Sequence, residues 1–124
     1  MKLIRDLFMF DGRLGRTAFA VGTILTGSAA GICALQLLLH VFVKIPFDAT
    51  SVIQGIGLVL GLWAMVALAW KRLHDIGRSG VFGTLMVVPF VSYALFAILM
   101  FLPGEQGANR FGPAPQKPPT PVVA

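Results

Sequence analysis

The charged residues leave three long stretches of the chain without any Asp, Glu, Lys or Arg: residues 17–43, 49–70 and 79–104. Each stretch is longer than the roughly 18 to 20 apolar residues that cross about 30 Å of hydrocarbon as a helix. None shows the polar stripe, at a period of about 3.6 residues, that marks a helix packed on a soluble core. We therefore predict three transmembrane helices, at residues 17–43, 49–70 and 81–102.

The segments around these stretches have different patterns. Residues 2–11 place their apolar side chains on one side of a helical wheel and their charges elsewhere, which is typical of a short helix lying in the membrane surface. The sequence KIPFD, residues 44–48, contains Pro46, which ends a helix and predicts a tight hairpin between the first two spans. Within the third span, Pro89 predicts a kink.

The composition agrees with a chain folded in lipid. Hydrophobic residues make up 56% of the sequence and charged residues 12%, with a mean hydropathy of +0.83, which leaves too little polar sequence to cover a globule in water. Residues 1–112 are predicted to form one all-α integral membrane domain, and residues 113–124, with five prolines, an extended tail. The first span is too long for the apolar core of a signal peptide, about 7 to 15 residues, so we expect it to be retained.

The distribution of Lys and Arg predicts an orientation. Seven of these residues lie in the N-terminal segment and the 71–80 loop, and three lie on the opposite side of a three-span arrangement. Because positive charge is retained in the cytoplasm, we expect the N-terminus and the 71–80 loop to be cytoplasmic. Three crossings would then place the C-terminus in the periplasm.

Five polar residues are crowded into WKRLHDIGRSG, residues 70–80, between two apolar stretches. On a helix Asp75 can meet Lys71, Arg72 and Arg78, so it is predicted to be the hub of an ion-pair cluster. Adjacent helical positions point about 100° apart, which argues against His74 and Asp75 as a catalytic pair, and we predict no enzymatic activity.

Two uses of the surrounding polar groups remain open. They can form a structural clamp, or they can bind an anionic lipid headgroup or an acidic partner, since arginine donates two parallel hydrogen bonds to phosphate. The candidate binding residues are Arg13, Arg16, Arg72, His74 and Arg78. Two histidines and one cysteine lie on different elements, so no metal site and no cofactor are expected. We also expect no nucleic-acid partner.

Small residues recur at four-residue spacing in the first two spans, as Gly27 with Gly31 and Gly57 with Gly61. Lipid provides no hydrophobic drive for helix association, so small residues that allow close approach form the usual packing surface. We predict that these rows pack the internal hairpin, with homo-oligomerisation or docking on a larger membrane complex as alternatives.

The spans carry few ionisable groups, and the chain is short for a fold with two transport repeats. We therefore predict a protein that acts by binding, as an accessory or assembly subunit or as an anionic-lipid-binding element. The alternative is a component of a transporter or channel.

Three ordered stretches carry a resemblance: FDGRLGRTAF (10–19), KRLHDIGRSG (71–80) and GEQGANRFGP (104–113). Together they resemble the YhaH-like bacterial inner-membrane proteins, a family of unknown function. The resemblance implies a single domain in a bacterial inner membrane and supplies no reaction. The positions characteristic of the family are Gly12, Arg13, Arg16, Arg72, His74, Asp75, Gly77, Asn109, Arg110 and Gly112.

Overall fold

The computed structural model describes residues 2–115, and the regular secondary structure in this part of the chain is helical apart from one isolated bridge between Asn109 and Gly112. The helices are α1 (Lys2–Phe8), α2 (Arg16–Val43), α3 (Ala49–Asp75), a 3-10 helix η1 (Gly80–Val87) and α4 (Pro89–Phe101). The prediction of an all-α protein is confirmed. Of the predicted tail, residues 116–124 lie outside the described part of the chain.

Helices α2 and α3 form an antiparallel hairpin, and both are long and apolar enough to cross a membrane. Helix α2 ends at Val43, and the next residue, Lys44, caps it in the left-handed conformation. Asp48 caps the start of α3 by accepting a 3.0 Å hydrogen bond from the backbone N–H of Ser51. Hydrogen bonds from Ser51 lower the pKa of the exposed Asp48 carboxyl.

The predicted third span, residues 81–102, is not confirmed. The segment divides into η1 and α4, and the 13 residues of α4 are too few to cross the hydrocarbon core. Pro89 starts α4 rather than kinking a longer helix, because its missing N–H costs nothing in the first turn. The first half of the segment instead packs closely on α3: a Cβ atom at Gly83 would stand 2.9 Å from the backbone nitrogen of Trp70.

The segment 80–102 enters the bundle and returns to the end from which it started. It begins at Gly80, where an added side chain would overlap the indole of Trp70. It then reaches Met86, which borders the same cavity as Met65, five residues before Trp70 in α3. It then returns to Leu102, whose carbonyl accepts a 2.6 Å hydrogen bond from Arg72. A core of six buried side chains holds this re-entrant segment against the hairpin: Phe19, Leu68, Ala69, Leu73, Met86 and Leu99.

The residues after α4 therefore lie at the same end of the molecule as the residues before α2. This geometry does not support three crossings, because the described chain after Leu102 contacts Arg13 and Asp75. The location of the C-terminus itself stays a prediction. The N-terminal helix is also shorter than the predicted 2–11, since α1 ends at Phe8, whose carbonyl accepts a hydrogen bond from the Trp63 indole. Its location in the membrane surface stays a prediction.

Small residues bring α2 and α3 together, and three of the four predicted glycines face the other helix of the hairpin. A Cβ atom at Gly61 would be 2.8 Å from that of Ala30, and one at Gly57 would be 3.1 Å from Cys33 Sγ. One at Gly27 would make an ordinary contact with Met65, whereas one at Gly31 would have no neighbour within 4 Å in the described residues. The prediction for Gly31 is wrong because the neighbouring Ala30 faces α3.

Candidate functional site

A buried ion-pair cluster lies where the last turn of α3 meets the segment before α2. Arg13 contacts Asp75 Oδ1 at 3.0 Å through Nη2, and Arg72 contacts Oδ2 of the same carboxylate. The three side chains are at most 5% exposed. Hereafter Arg13, Arg72 and Asp75 are called the Arg–Asp cluster. One carboxylate thus balances two buried guanidinium groups, an arrangement that needs further acceptors to be favourable.

Backbone carbonyl groups supply those acceptors for Arg72. Its Nε donates to the Leu99 carbonyl at 2.9 Å and its Nη2 donates to that of Leu102. The last carbonyl groups of a helix have no partner within the helix and carry partial negative charge. Arg72 therefore caps the C-terminus of α4 and fixes the end of the re-entrant segment. Its Nη1 also donates to the Leu14 carbonyl, at 3.2 Å.

Arg13 makes the corresponding contacts to the segment that follows α4. It donates to the carbonyl groups of Glu105, at 2.5 Å, and Gly107. The backbone N–H of Glu105 donates to the Asp75 carbonyl at 2.7 Å, which caps the last residue of α3. Gly104 is required here by space, because an added side chain would overlap the Asp75 carboxylate.

A glycine also ends α3 at this site. Gly77 has a φ of 79°, in the left-handed region, and its N–H donates to the His74 carbonyl at 3.1 Å. The next N–H, of Arg78, donates to Leu73 at 2.8 Å. These two bonds define a Schellman motif, in which glycine is the usual residue at the left-handed position. The turn leaves the Arg78 side chain on the surface.

His74 joins the first and third sequence motifs. Its Nδ1 lies 3.1 Å from the Gly12 carbonyl, to which it can donate, and its ring stacks on that of Phe111 with 3.9 Å between centroids. Asn109 donates from its side-chain amide to the His74 carbonyl at 2.9 Å. The Arg110 guanidinium lies 4.6 Å from the centroid of the Phe111 ring. His74 therefore holds two segments together, and its Nδ1 is engaged in that contact.

The structure separates the predicted binding residues into two groups. Arg13 and Arg72 are buried and engaged with carbonyl groups, so the prediction that they present free donors to a headgroup is wrong. Arg16 and Arg78 are exposed, as is Arg110, which sequence reasoning named only as a family position. Arg16 lies within electrostatic range of Arg72, and Arg110 within range of His74. Arg16 therefore lies near the Arg–Asp cluster and Arg110 near His74, while Arg78 follows the turn that ends α3.

The geometry does not favour catalysis at this site. The Asp75 carboxylate is occupied by two guanidinium groups, and the ring of His74 is stacked and hydrogen-bonded to the backbone. Within residues 2–115, no three His, Cys, Asp or Glu side chains come together as metal ligands. The arrangement is suited to holding segments together and to presenting cations.

A membrane-length helical hairpin, closed at one end by buried ion pairs and a short re-entrant segment, defines a small helical integral membrane protein. The chain belongs to the family described as "Protein of unknown function (DUF805)", whose model matches residues 7–113. This agrees with the YhaH-like resemblance. The protein is a bacterial inner-membrane protein.

Its relatives include two inner membrane proteins of Escherichia coli (strain K12). The chain is 26% identical to YhaI over 117 residues, which cover 94% of this chain and 93% of YhaI. It is 35% identical to YhaH over 69 residues, 56% of this chain and 54% of YhaH. The uncharacterized protein YiiR of the same strain is 29% identical over 144 residues, 90% of this chain and 89% of YiiR. No solved structure matches the chain.

Sequence reasoning identified Asp75 as a hub but missed its partner Arg13, which takes the place predicted for Arg78. It also missed the contacts of Gly104, Glu105 and Phe111, since the third motif was assigned to the opposite side of the membrane. The available signal was the motif itself: glycines and polar residues at fixed positions after an apolar segment are unexpected in a chain that only leads to a tail.

Proposed function

We propose that this inner-membrane protein acts by binding, and that its cytoplasmic end holds anionic lipid headgroups through Arg16, Arg78 and Arg110. The observation that carries the proposal is the separation of the arginines into a buried pair and an exposed set around it. Arginine presents planar donors that match phosphate. An anionic leaflet attracts such residues by about 1 kcal/mol for each cation near its surface.

The distribution of charge supports a cytoplasmic location for this end. Six described cations lie on the Arg–Asp cluster or in the segments that meet there: Arg13, Arg16, Lys71, Arg72, Arg78 and Arg110. Lys44 lies at the opposite end, in the connection between α2 and α3. Because the third apolar segment returns to its starting side, Arg110 lies at the same end as the other five cations. The difference in positive charge between the two ends is therefore larger than in a three-span arrangement. The positive-inside rule then supports a cytoplasmic location for both the N-terminal segment and residues 103–115.

The buried cluster supports this role by fixing the surface around it. Arg16 begins α2 immediately after the loop that contains Arg13, Arg78 follows the Schellman turn of α3, and Arg110 lies over Phe111. Each exposed arginine therefore belongs to a backbone segment whose position is fixed by the Arg–Asp cluster or by His74. Less conformational freedom is lost when such a preorganised surface binds a ligand.

The test compares lipid retention by purified protein. Wild type and the triple variant Arg16→Gln, Arg78→Gln, Arg110→Gln are extracted from nanodiscs containing equal amounts of phosphatidylglycerol and phosphatidylcholine, and the retained lipids are counted by native mass spectrometry. We expect wild type to retain phosphatidylglycerol preferentially, with a preference that falls as salt is raised. The triple variant should lose it, whereas Lys44→Gln, which removes a cation at the opposite end, should not.

Equal retention of the two lipids by wild type and the triple variant would overturn the proposal. An acidic membrane protein that copurifies in constant ratio with wild type, and not with the triple variant, would assign the same surface to an accessory or assembly role. Ion or solute flux through the purified protein in vesicles would favour the transporter alternative.

A further inference from the structure

A cavity of about 410 Å³ lies between the hairpin helices α2 and α3 and the two parts of the re-entrant segment, η1 and α4. This volume is within the range of about 300 to 1,000 Å³ that is usual for small-molecule sites. The cavity is bordered by nine residues: Thr23, Ile24, Gly27, Ser28, Met65, Met86, Ser92, Tyr93 and Phe96. Methionine and aromatic side chains dominate its α3, η1 and α4 sides, and flexible methionines adapt to ligands of variable shape.

The cavity opens on the outer surface of the bundle. Ile24 and Tyr93, on two of its borders, have 57% and 75% of their surface exposed. In an inner-membrane protein this surface faces lipid. A largely apolar space that is open to lipid is filled by hydrocarbon rather than by water, because water there would lack polar partners.

One residue that borders the cavity has a polar group without a partner. Thr23 is 6% exposed, and its Oγ1 makes no hydrogen bond to any described residue. Threonine in a helix commonly donates to a carbonyl one turn earlier, as Thr26 does to Gly22 at 2.8 Å. The Thr23 side chain borders the cavity, and its hydroxyl, which is covered in this structure, would reach an acceptor in the cavity by rotation about χ1. A buried hydroxyl without a partner is unfavourable, so an occupant with an acceptor would be stabilised.

The nearest exposed cation on the same helix has a matching position. Arg16 precedes Thr23 by seven residues, which places both on one face of α2, about 10 Å apart along its axis. From Arg16 towards the membrane interior, the chain thus presents a cation, a hydroxyl donor and an apolar cavity. A glycerophospholipid has the complementary order of phosphate, ester carbonyl and acyl chain.

We propose that this cavity holds one acyl chain of an anionic glycerophospholipid, with an ester carbonyl accepting from Thr23 and the phosphate bound at Arg16. The inference rests on the proposed function and deepens it, since it converts attraction of anionic lipid into a site for one molecule. Such a lipid would wedge between α2 and α4, so its binding would stabilise the docking of the re-entrant segment.

The test uses a matched pair of substitutions on α2. Thr23→Val keeps the shape of the side chain and removes the unpaired hydroxyl, whereas Thr26→Val removes a hydroxyl that already has a partner. Retained phosphatidylglycerol and phosphatidylcholine are counted by native mass spectrometry at increasing lipid concentration, and thermal unfolding is measured in detergent with and without lipid. A third variant, Ser28→Phe, places a large side chain at the exposed edge of the cavity.

We expect Thr23→Val to weaken phosphatidylglycerol binding about threefold to tenfold, the loss of one hydrogen bond to a neutral acceptor. The same variant should unfold no more easily than wild type without lipid, because it removes an unpaired polar group, and should gain less stability when lipid is added. Ser28→Phe should lower the number of tightly retained lipids, and Thr26→Val should leave lipid binding unchanged.

The outcomes separate this inference from the function on which it rests. If Thr23→Val and Ser28→Phe retain lipid like wild type while the triple arginine variant does not, the arginines bind headgroups at the surface and the cavity site is wrong. If Thr23→Val weakens both lipids equally and the triple arginine variant retains both like wild type, the cavity holds a lipid irrespective of charge, which overturns the anionic site and the proposed function. If all variants retain lipid equally, both fail.

Discussion

Arg13 and Asp75 are 62 residues apart in the chain, and their side chains form an ion pair of 3.0 Å that is almost fully buried. This contact attaches the segment before α2 to the last turn of α3. Arg13 also binds the carbonyl groups of Glu105 and Gly107, so it brings a third segment to the same place. The three sequence motifs of the chain therefore meet around a single carboxylate.

Removing the charge of Asp75 should destabilise the protein more than any loss at the exposed arginines. Asp75→Asn leaves Arg13 and Arg72 buried without a counter-charge, and loss of one partner of a buried pair costs about 3 to 5 kcal/mol. We expect a lower midpoint of thermal unfolding in detergent, followed by tryptophan fluorescence, since Trp70 lies one turn from the cluster. Arg78→Gln, at an exposed position, should change the midpoint little.

Asp48→Asn is the matched control for this substitution. Asp48 is an exposed helix cap, and asparagine caps a helix about as well as aspartate. A midpoint for Asp75→Asn equal to that of Asp48→Asn would show that the buried carboxylate is not needed to hold the three segments.

The re-entrant arrangement makes a prediction about topology. A reporter fused after Pro115 should be active in the cytoplasm, because residues 103–115 lie at the same end as Arg13. In a Cys33→Ser background, a cysteine at position 45, between α2 and α3, should react with a membrane-impermeant maleimide added to whole cells or spheroplasts. One at position 79 should react only after the cells are opened.

A periplasmic reporter after Pro115 would restore the three-span interpretation. Labelling of both cysteines from outside would instead contradict the assignment of the Arg–Asp cluster to the cytoplasm, and would leave the fold of the hairpin untouched.

The two long spans could be predicted from the sequence because length and hydropathy alone decide them. The re-entrant segment could not, since its apolar length is also sufficient for a crossing helix. What decides its path is the close packing of Gly80 and Gly83 on Trp70 and the start of a new helix at Pro89. These are contacts between distant parts of the chain, which hydropathy does not record.

Of the candidate site, only the contacts within one helix could be predicted from the sequence. Helical spacing identifies neighbours within one element, and it correctly brought Arg72 to Asp75. It carries no information on contacts between elements, so Arg13 was expected at lipid and Arg78 at the carboxylate. A three-span interpretation puts Gly104 and Phe111 on the opposite side of the membrane, where they cannot meet His74 or Asp75.

Gly104 provides a test of the attachment of the C-terminal segment. Gly104→Ala places a methyl group where it overlaps the Asp75 carboxylate, so either the ion pairs or the segment after Leu102 must move. We expect limited trypsin digestion to cleave after Arg110 faster than in wild type, at a temperature where the bundle remains folded. Gly55→Ala, on α3 with no neighbouring group within 4 Å among residues 2–115, should be digested like wild type. Equal cleavage of Gly104→Ala and wild type would argue against this close approach.

The last prediction distinguishes the glycines that pack the hairpin from those that only share their spacing. Gly61 faces Ala30 so closely that a Cβ atom would be 2.8 Å from that of Ala30, and a Thr26 carbonyl 3.4 Å away prevents a simple shift. Gly61→Leu should therefore separate α2 from α3 and lower the free energy of unfolding by an amount typical of overpacking, about 1 to 3 kcal/mol, which lowers the unfolding midpoint. Gly31→Leu makes the same change of volume at a site with no neighbour within 4 Å in the described residues. It should leave the monomer's stability unchanged or slightly raised, since leucine has a higher helix propensity than glycine.

Size-exclusion chromatography with light scattering, run on both variants, adds a second readout. A smaller complex for Gly31→Leu at unchanged stability would assign Gly31 to contact with another chain. Equal destabilisation by the two variants would show that the four-residue spacing itself, and not the contact with Ala30, governs packing of the hairpin.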